Sequence, residues 1–332
     1  MPDSSRLLAA ISAVQLACRA TAAVQRAMRI DGPAAMMKAD QSPVTIADFA
    51  AQVLVIRSLS AAFPGEPIVA EEDADGLRAE GREELRERVR SAVSDALGQQ
   101  VSAGEVLDWL DRGRARGGTG IFWALDPVDG TRGFLRGGQY AVALALVEDG
   151  QPTVGVLGCP NYREENAPRP GLLFAARRGH GAFEIPLDAA APTAPPGPRV
   201  PLPRARAGAL RFCESAEAGH SDHERARAVA AALGIATPPL RIDSQAKYGA
   251  LARGDASIYM RLPTRADYRE KIWDHAAGAL LVECAGGTVT DANGEALDYG
   301  QGVRFERNSG ILASLGTDHG ELVRAVRAAG AG

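Results

Sequence analysis

The chain has 332 residues, a formal net charge of −4 and 46% hydrophobic residues, a globular composition with room for about two domains at ~100–200 residues each. Disordered, collagenous and coiled-coil chains are excluded, and the acidic balance speaks against sequence-independent nucleic-acid binding. Only three of the 37 basic residues are lysines, Lys38, Lys247 and Lys271, so each position that keeps an ammonium invites a reason.

Residues 7–28 are Ala-rich but interrupted by Gln15, Arg19, Gln25 and Arg26. They predict a surface-packed helix, capped by Asp3 or Ser4 and too polar to span a membrane. After a turn at Asp31-Gly32-Pro33, Ser42-Pro43-Val44-Thr45 leads into a second helix over 46–63, with Asp48 one turn into an otherwise apolar segment. Pro64-Gly65-Glu66-Pro67 ends it, and a short strand over 68–70 runs into Glu71-Glu72-Asp73. Alone, an acidic triplet at a strand end is most simply a solvated loop. Residues 77–97 predict an exposed charged helix. Residues 112–120 predict a Gly- and Arg-rich loop that lacks the Gly-Lys-Ser/Thr of a phosphate-binding P-loop.

From Ile121 the texture changes to strands over 121–125, 140–147, 153–157 and 172–176. The first of these ends in Leu125-Asp126-Pro127-Val128-Asp129-Gly130-Thr131. Pro127 pushes Asp126 toward an extended backbone, and Asp129-Gly130 makes a tight turn. Two carboxylates three residues apart, with the Val128 carbonyl between them, suit a hard, oxygen-liking cation. Turn chemistry alone is the other reading of the same residues.

Seven of the 20 prolines fall between Pro186 and Pro203, which predicts a linker there. It would separate a domain over 1–203, helices followed by antiparallel strands, from a domain over 204–332 in which strands and helices alternate. The second half predicts strands over 210–213 and 257–260, and helices over 223–233, 246–253 and 273–285. Asp274 opens the last of these, where by itself it reads as a helix cap. Gly219-His220-Ser221-Asp222-His223 holds a histidine pair without the further ligands of a zinc site. Cys18, Cys159, Cys213 and Cys284 show no paired spacing, so free thiols in a soluble, cytoplasmic chain are expected. The absence of G-x-S-x-G weighs against a serine hydrolase.

Carboxylates delivered from several distant strand and helix ends are what a two-metal phosphatase needs. Two Mg²⁺ ions can hold the attacking and leaving oxygens of an in-line phosphoryl transfer. In this respect the chain resembles the lithium-sensitive, magnesium-dependent phosphatase superfamily of inositol monophosphatase and fructose-1,6-bisphosphatase. Within it, the chain is most similar to the 3'(2'),5'-bisphosphate nucleotidase family. The blocks that carry the resemblance are 38–48, Ala70-Glu71-Glu72-Asp73, 125–134, 136–140, 155–161 and 219–221. They continue with Asp243-Ser244-Gln245-Ala246-Lys247-Tyr248, Arg261-Leu262-Pro263 and 268–278, and together span nearly the whole chain. S-Q-A-K-Y and E-K-I-W-D-H-A-A-G are the parts most specific to the nucleotidase branch.

The resemblance implies an α/β fold, an αβαβα layered sandwich, with two or three Mg²⁺ ions. It implies a small phosphate-ester substrate, 3'-phosphoadenosine 5'-phosphate, that loses its 3'-phosphate to a metal-activated water, a place in sulfur metabolism, and neither a nucleic-acid polymer nor a membrane as partner. Glu71, Asp126 and the Val128 carbonyl are implied to bind the first metal. Asp126 would be shared with a second ion completed by Asp129 and Asp274, and Glu71 would serve a looser third. Asp48 and Thr131 would orient and deprotonate the attacking water, and the amides after Gly130 would meet the phosphate. Lys247, Arg261, His220, Ser221 and Ser244 would bind the rest of the substrate. The metal motif alone also allows an inositol-phosphate or sugar-phosphate phosphatase, or a nucleotide-sensing module without turnover.

Overall fold

The computed structural model describes residues 2–31, 35–37, 43–162, 171–190, 209–215, 223–263, 265 and 267–330. Lys38, His220, Ser221 and most of the Pro-rich stretch lie outside the described residues.

The first helix, α1 (Pro2–Asp31), starts earlier than expected, with proline in its first turn, a favoured place for a residue without an N–H. Asp3 and Ser4 therefore lie inside the helix rather than capping it, and the Ser4 hydroxyl accepts from Arg177 Nη1 at 2.9 Å. The expectation that the segment is too polar for a membrane is also corrected. Ser4–Met28 is long enough, and with a mean hydropathy of 1.7 apolar enough, to cross one, because its alanines outweigh the polar interruptions. In the fold that apolar surface is spent on a sheet: Leu7, Ile11, Val14 and Cys18 are buried against strands. The polar residues among them are paired, Gln25 Nε2 donating to the Phe134 carbonyl at 2.8 Å and Thr21 meeting the Tyr140 hydroxyl at 3.0 Å.

A short antiparallel hairpin, β1 (Ala35–Met37) and β2 (Pro43–Thr45), leads into α2 (Ile46–Ala62). This helix is apolar on every side, the mark of a helix buried all round. Ala51, Val55, Ile56 and Leu59 face the sheet. Phe49, Ala50, Val53 and Leu54 face α3 (Asp75–Arg78), α4 (Glu83–Leu97) and α5 (Ala103–Asp111). The single charged helix expected over 77–97 is thus two, broken near Gly81, whose φ of +77° no helix accommodates. The helix α5 was not expected, although Ser102 and Glu105 form a reciprocal capping box at its start.

The strands β3 (Ile68–Ala70), β4 (Ile121–Asp129), β5 (Ala141–Glu148), β6 (Gln151–Cys159), β7 (Leu172–Arg177) and β8 (Gly181–Pro186) form a sheet in chain order. Only β3 and β4 run parallel; the rest is an antiparallel meander. The turn after β4 winds into α6 (Thr131–Leu135). A second sheet is built from β9 (Phe212–Glu214), β10 (Leu240–Arg241), β11 (Ile258–Arg261), β12 (Thr288–Thr290) and β13 (Ile311–Ser314), in the order β10-β9-β11-β13-β12. Around it lie α7 (His223–Ala232), α8 (Ala246–Arg253), α9 (Ala276–Cys284) and α10 (His319–Ala329).

Helices α8 and α9 fill the space between the two sheets: Tyr248, Leu251, Leu280 and Val282 share one core with Phe174 of the first sheet and Tyr259 of the second. On the far side of the second sheet, Val229 of α7 and Leu322 and Val326 of α10 cover Ile258 and Leu312. The stack is α1/α2, sheet, α8/α9, sheet, α7/α10, which is the expected αβαβα sandwich. Strand β6 is approached closely from both sides, because residues an odd number apart face opposite ways. A Cβ on Gly158 would lie 2.3 Å from Cys18 Sγ of α1, and one on Gly155 would lie 3.0 Å from the Ala277 carbonyl of α9. All four cysteines are free thiols, as expected.

Candidate active site

The register of β4 against β5 sets up the site. Asp126 pairs with Ala143 and Asp129 with Ala141, so three steps on β4 match two on β5. The extra residue is a bulge, and Pro127, which has no N–H to place in the ladder, sits within it. The bulge re-aims the strand end: Asp126 is 2% exposed, and its Oδ1 accepts from the Val128 amide at 3.1 Å. Gly130, at φ +85°, makes the left-handed turn into α6 that a side chain would resist. Thr131 follows, its Oγ1 3.1 Å from the Val128 carbonyl and 3.4 Å from Asp48 Oδ1.

Asp48 reaches that position through the start of α2. Thr45 caps the helix, and both its amide (2.8 Å) and its hydroxyl (2.6 Å) donate to Asp48 Oδ2. One carboxylate oxygen thus holds the helix start, and the other faces Thr131. Glu71 follows β3, and its amide donates to the Leu125 carbonyl at 3.2 Å, bringing it beside β4. The fully buried Gln52 of α2 grips the next residue from both sides, its Nε2 donating to the Glu72 carbonyl at 2.6 Å and its Oε1 accepting from the Glu72 amide at 3.0 Å. Gln52→Ala removes both of these buried hydrogen bonds, so a loss of about 1–3 kcal/mol is expected in urea denaturation. An unchanged midpoint would mean that this strand end holds itself.

The loop before α8 supplies the opposite wall. Ser244 has a φ of +68°, a strained conformation for a residue with a Cβ. The Gln245 amide donates to Asp129 Oδ2. The Gln245 side chain ties α8 to the start of α9, giving Nε2 to the Trp273 carbonyl at 2.9 Å and accepting from the Gly278 amide at 3.3 Å. Asp274 is not the cap that it resembles in sequence. It lies in a 3₁₀ turn, Ile272–Asp274, before α9, and makes no capping bond.

Three cations stand near these carboxylates. Lys247 is 7% exposed, with its ammonium 5.4 Å from the centre of the Tyr259 ring. Among the described residues, no carboxylate lies within ion-pair distance of it. Burial pushes its pKa down, with Asp129 acting against the shift. Arg261 is held by Glu270 at 3.0 Å, donates to the Tyr268 hydroxyl at 3.2 Å and lies 3.7 Å from Asp274. Glu270 also meets His275 Nε2 at 3.3 Å, while His275 Nδ1 meets the Tyr248 hydroxyl at 2.7 Å. A fixed polar chain thus runs beneath Arg261. The third cation is Lys271, 3.9 Å from Glu71.

The carboxylates crowd one another. Burial first, and then Glu71, Asp129, Asp274 and Asp48, raise the pKa of Asp126 well above the usual range. Burial raises Asp129 too, against Lys247 and Arg261. Asp274 is pushed up to about 6 by burial, opposed by Arg261 and His275 and reinforced by Asp129 and Glu71. A carboxyl whose pKa is higher folded than unfolded stabilises the fold at low pH and loses that contribution as pH rises. For Asp274 the window runs from its ordinary 3.8 to about 6. Metal-free protein is therefore expected to lose melting temperature across that window, and Asp274→Asn to flatten the slope; a variant with the parent's pH profile would contradict this origin.

Buried carboxylates that repel one another in this way fit a hard divalent cation, which removes the repulsion and takes oxygen ligands. The tightest metal-like grouping among the described residues is a different one, Glu270, Asp274 and His275, with ligand atoms within 4.8 Å. Glu270 and His275 are bonded to each other and, through Glu270, to Arg261, so of the three only Asp274 presents its carboxylate to the cavity. That cavity has a volume of about 640 Å³ and is lined by Glu71, Asp126, Val128, Asp129, Gly130, Thr131, Ser244, Lys247, Arg261 and Asp274, a size that suits a mononucleotide. These are the expected site residues that the structure describes, save Asp48, which stands behind Thr131. His220 and Ser221 lie outside the described residues. Sequence reasoning assigned no role to Gln52, Asp243 or Gln245. Asp243 lines the cavity and joins α6 to β9, accepting from Arg136 Nη2 and from Ser215 Oγ, each at 3.1 Å.

The sequence profile of the inositol monophosphatase family matches residues 7–331. A 3'(2'),5'-bisphosphate nucleotidase of Schizosaccharomyces pombe is 45% identical over 295 residues, covering 84% of this chain and 82% of the relative. One of Oryza sativa is 41% identical over 346 residues, 98% and 94% of the two chains. Among solved structures, a bacterial member of the inositol monophosphatase family from Bacteroides thetaiotaomicron superposes with a TM-score of 0.63 at 22% identity, over 95% of this chain and 98% of its own. The inositol monophosphatase of Anabaena gives 0.59 at 20% identity, over 99% and 97%. These structures speak for the fold.

Proposed function

This chain belongs to the inositol monophosphatase family, and from that premise we propose that it is a Mg²⁺-dependent 3'(2'),5'-bisphosphate nucleotidase. It converts 3'-phosphoadenosine 5'-phosphate to AMP and phosphate. The observation that carries this reading is a cavity lined both by repelling carboxylates and by Lys247, a buried ammonium with no carboxylate within ion-pair distance among the described residues. A substrate with one phosphate for the metals and a second for a cation matches both. The curated relatives named for this activity support it.

Glu71, Asp126, the Val128 carbonyl, Asp129 and Asp274 would hold two or three Mg²⁺ ions, which supply charge neutralisation at the scissile phosphate and acidify a water. Thr131 orients that water through its hydroxyl, and Asp48 Oδ1 takes the proton passed along it. The route is short because Oδ2 of Asp48 is already committed to Thr45, so only Oδ1 can turn to Thr131. The amides after Gly130 receive phosphate oxygens. Lys247 and Ser244, with Arg261 braced by Glu270, bind the second phosphate and ribose, and His220 and Ser221, outside the described residues, are proposed as further substrate ligands. A cytoplasmic setting accords with four free thiols.

The test is product identity. Incubation of the purified chain with 3'-phosphoadenosine 5'-phosphate and Mg²⁺ is expected to give AMP and one equivalent of phosphate by ion-exchange chromatography. Loss of the 5'-phosphate instead, or binding without turnover as in a nucleotide sensor, would contradict the assignment.

A further inference from the structure

We infer that Lys271 is a built-in competitor for the divalent cation at Glu71, an ammonium that sets how tightly that site holds metal. The inference rests on the reading of Glu71 as a metal ligand. The Lys271 ammonium lies 3.9 Å from Glu71 Oε1 and 5.1 Å from the centre of the Trp273 ring, so it sits over the aromatic face beside the carboxylate. Its backbone is fixed, bridging to Arg304 across an antiparallel contact. Both side chains line or border the cavity and stay partly wet, at 26% and 18% exposure, so the contact can open.

Three of the cations that line the cavity, Arg261, Lys247 and Lys271, differ in what they face. Arg261 is divided between Glu270 at 3.0 Å and Asp274 at 3.7 Å. Lys247 has no carboxylate within reach among the described residues. Lys271 has Glu71, a carboxylate of the metal-site reading, as its ion partner, and no other carboxylate among the described residues lies within ion-pair distance of it. A dication arriving at Glu71 must displace that ammonium and then remain near it, so the lysine opposes binding twice. The residue type is informative in a chain that uses arginine nearly everywhere. A guanidinium grips a carboxylate with two parallel hydrogen bonds, whereas an ammonium is a compact point charge that water readily takes over. Lysine here holds Glu71 in place, yet releasable.

Mg²⁺ binding by calorimetry to the full chain and to Lys271→Met and Lys271→Arg tests this. Lys271→Met keeps the apolar stem over Trp273 and is expected to bind Mg²⁺ about tenfold more tightly, the order for removing a unit charge beside a dication in a wet site. Lys271→Arg is expected to bind several-fold more weakly. A role confined to packing on Trp273 would shift both variants in the same direction or leave both unchanged, and either result overturns the inference while the parent chain still binds Mg²⁺. A parent chain that binds no Mg²⁺ would sink the metal reading itself, and this inference with it.

Discussion

Asp126→Asn is expected to cut turnover of 3'-phosphoadenosine 5'-phosphate by at least about a thousandfold, roughly 4 kcal/mol of transition-state stabilisation, and at the same time to raise the melting temperature of the metal-free protein. Both effects have one cause. Asp126 is 2% exposed and faces the charges of Glu71, Asp129, Asp274 and Asp48. The chain keeps a mutually repelling cluster that a bound dication would quiet. Asparagine preserves the Oδ1 acceptor for the Val128 amide, so the bulge survives. It removes the charge that a carboxylate shared between two metal ions would need. Steady-state phosphate release and thermal melting in chelator check the two halves. Near-parental turnover would refute the shared-ligand role, and a lowered melting temperature would contradict the electrostatic origin.

Lys247→Met is expected to separate two substrates. On 3'-phosphoadenosine 5'-phosphate kcat/KM should fall about a hundredfold, which is roughly 3 kcal/mol for a charge-assisted contact to phosphate. On adenosine 3'-phosphate, which lacks the second phosphate, it should change less than about threefold. Methionine fills the volume of the buried lysine stem without its charge, so folding is spared. Relieving a buried ammonium that has no carboxylate within ion-pair distance among the described residues costs the fold little. Equal losses on the two substrates would place Lys247 at the scissile phosphate rather than the second one.

Much of the site was legible in the sequence because its residues are concentrated at strand and helix ends. Asp126-Pro127-Val128-Asp129-Gly130-Thr131 reads as a strand running into a turn, and the structure adds the bulge that aims the two carboxylates, which depends on the partner strand β5. Helices α2 and α8 lie where local periodicity put them. What escaped were residues whose partners are backbone groups far along the chain. Gln52 grips Glu72, and Gln245 joins Asp129 to the start of α9, yet neither contact leaves a residue-type pattern. The strands β8, β12 and β13 were missed as well; β12 and β13 have only three and four residues, and β8 pairs with β7 as a hairpin. Helix α5 was missed in spite of a local signal, the capping box at Ser102. Asp274 misled for the opposite reason: a carboxylate before a helix is usually a cap, and only the 3₁₀ turn and the neighbouring Arg261 show it turned to the cavity. Of the three lysines, Lys247 and Lys271 both line that cavity, and Lys38 lies outside the described residues.

The decisive comparison is kcat/KM, in one buffer with Mg²⁺, for 3'-phosphoadenosine 5'-phosphate, inositol 1-phosphate and fructose 1,6-bisphosphate. A cavity lined by both the carboxylates and Lys247 should prefer the bisphosphate nucleotide by about a hundredfold or more, the worth of one charge-assisted phosphate contact. Inositol 1-phosphate turned over as well as the nucleotide, or better, would contradict it.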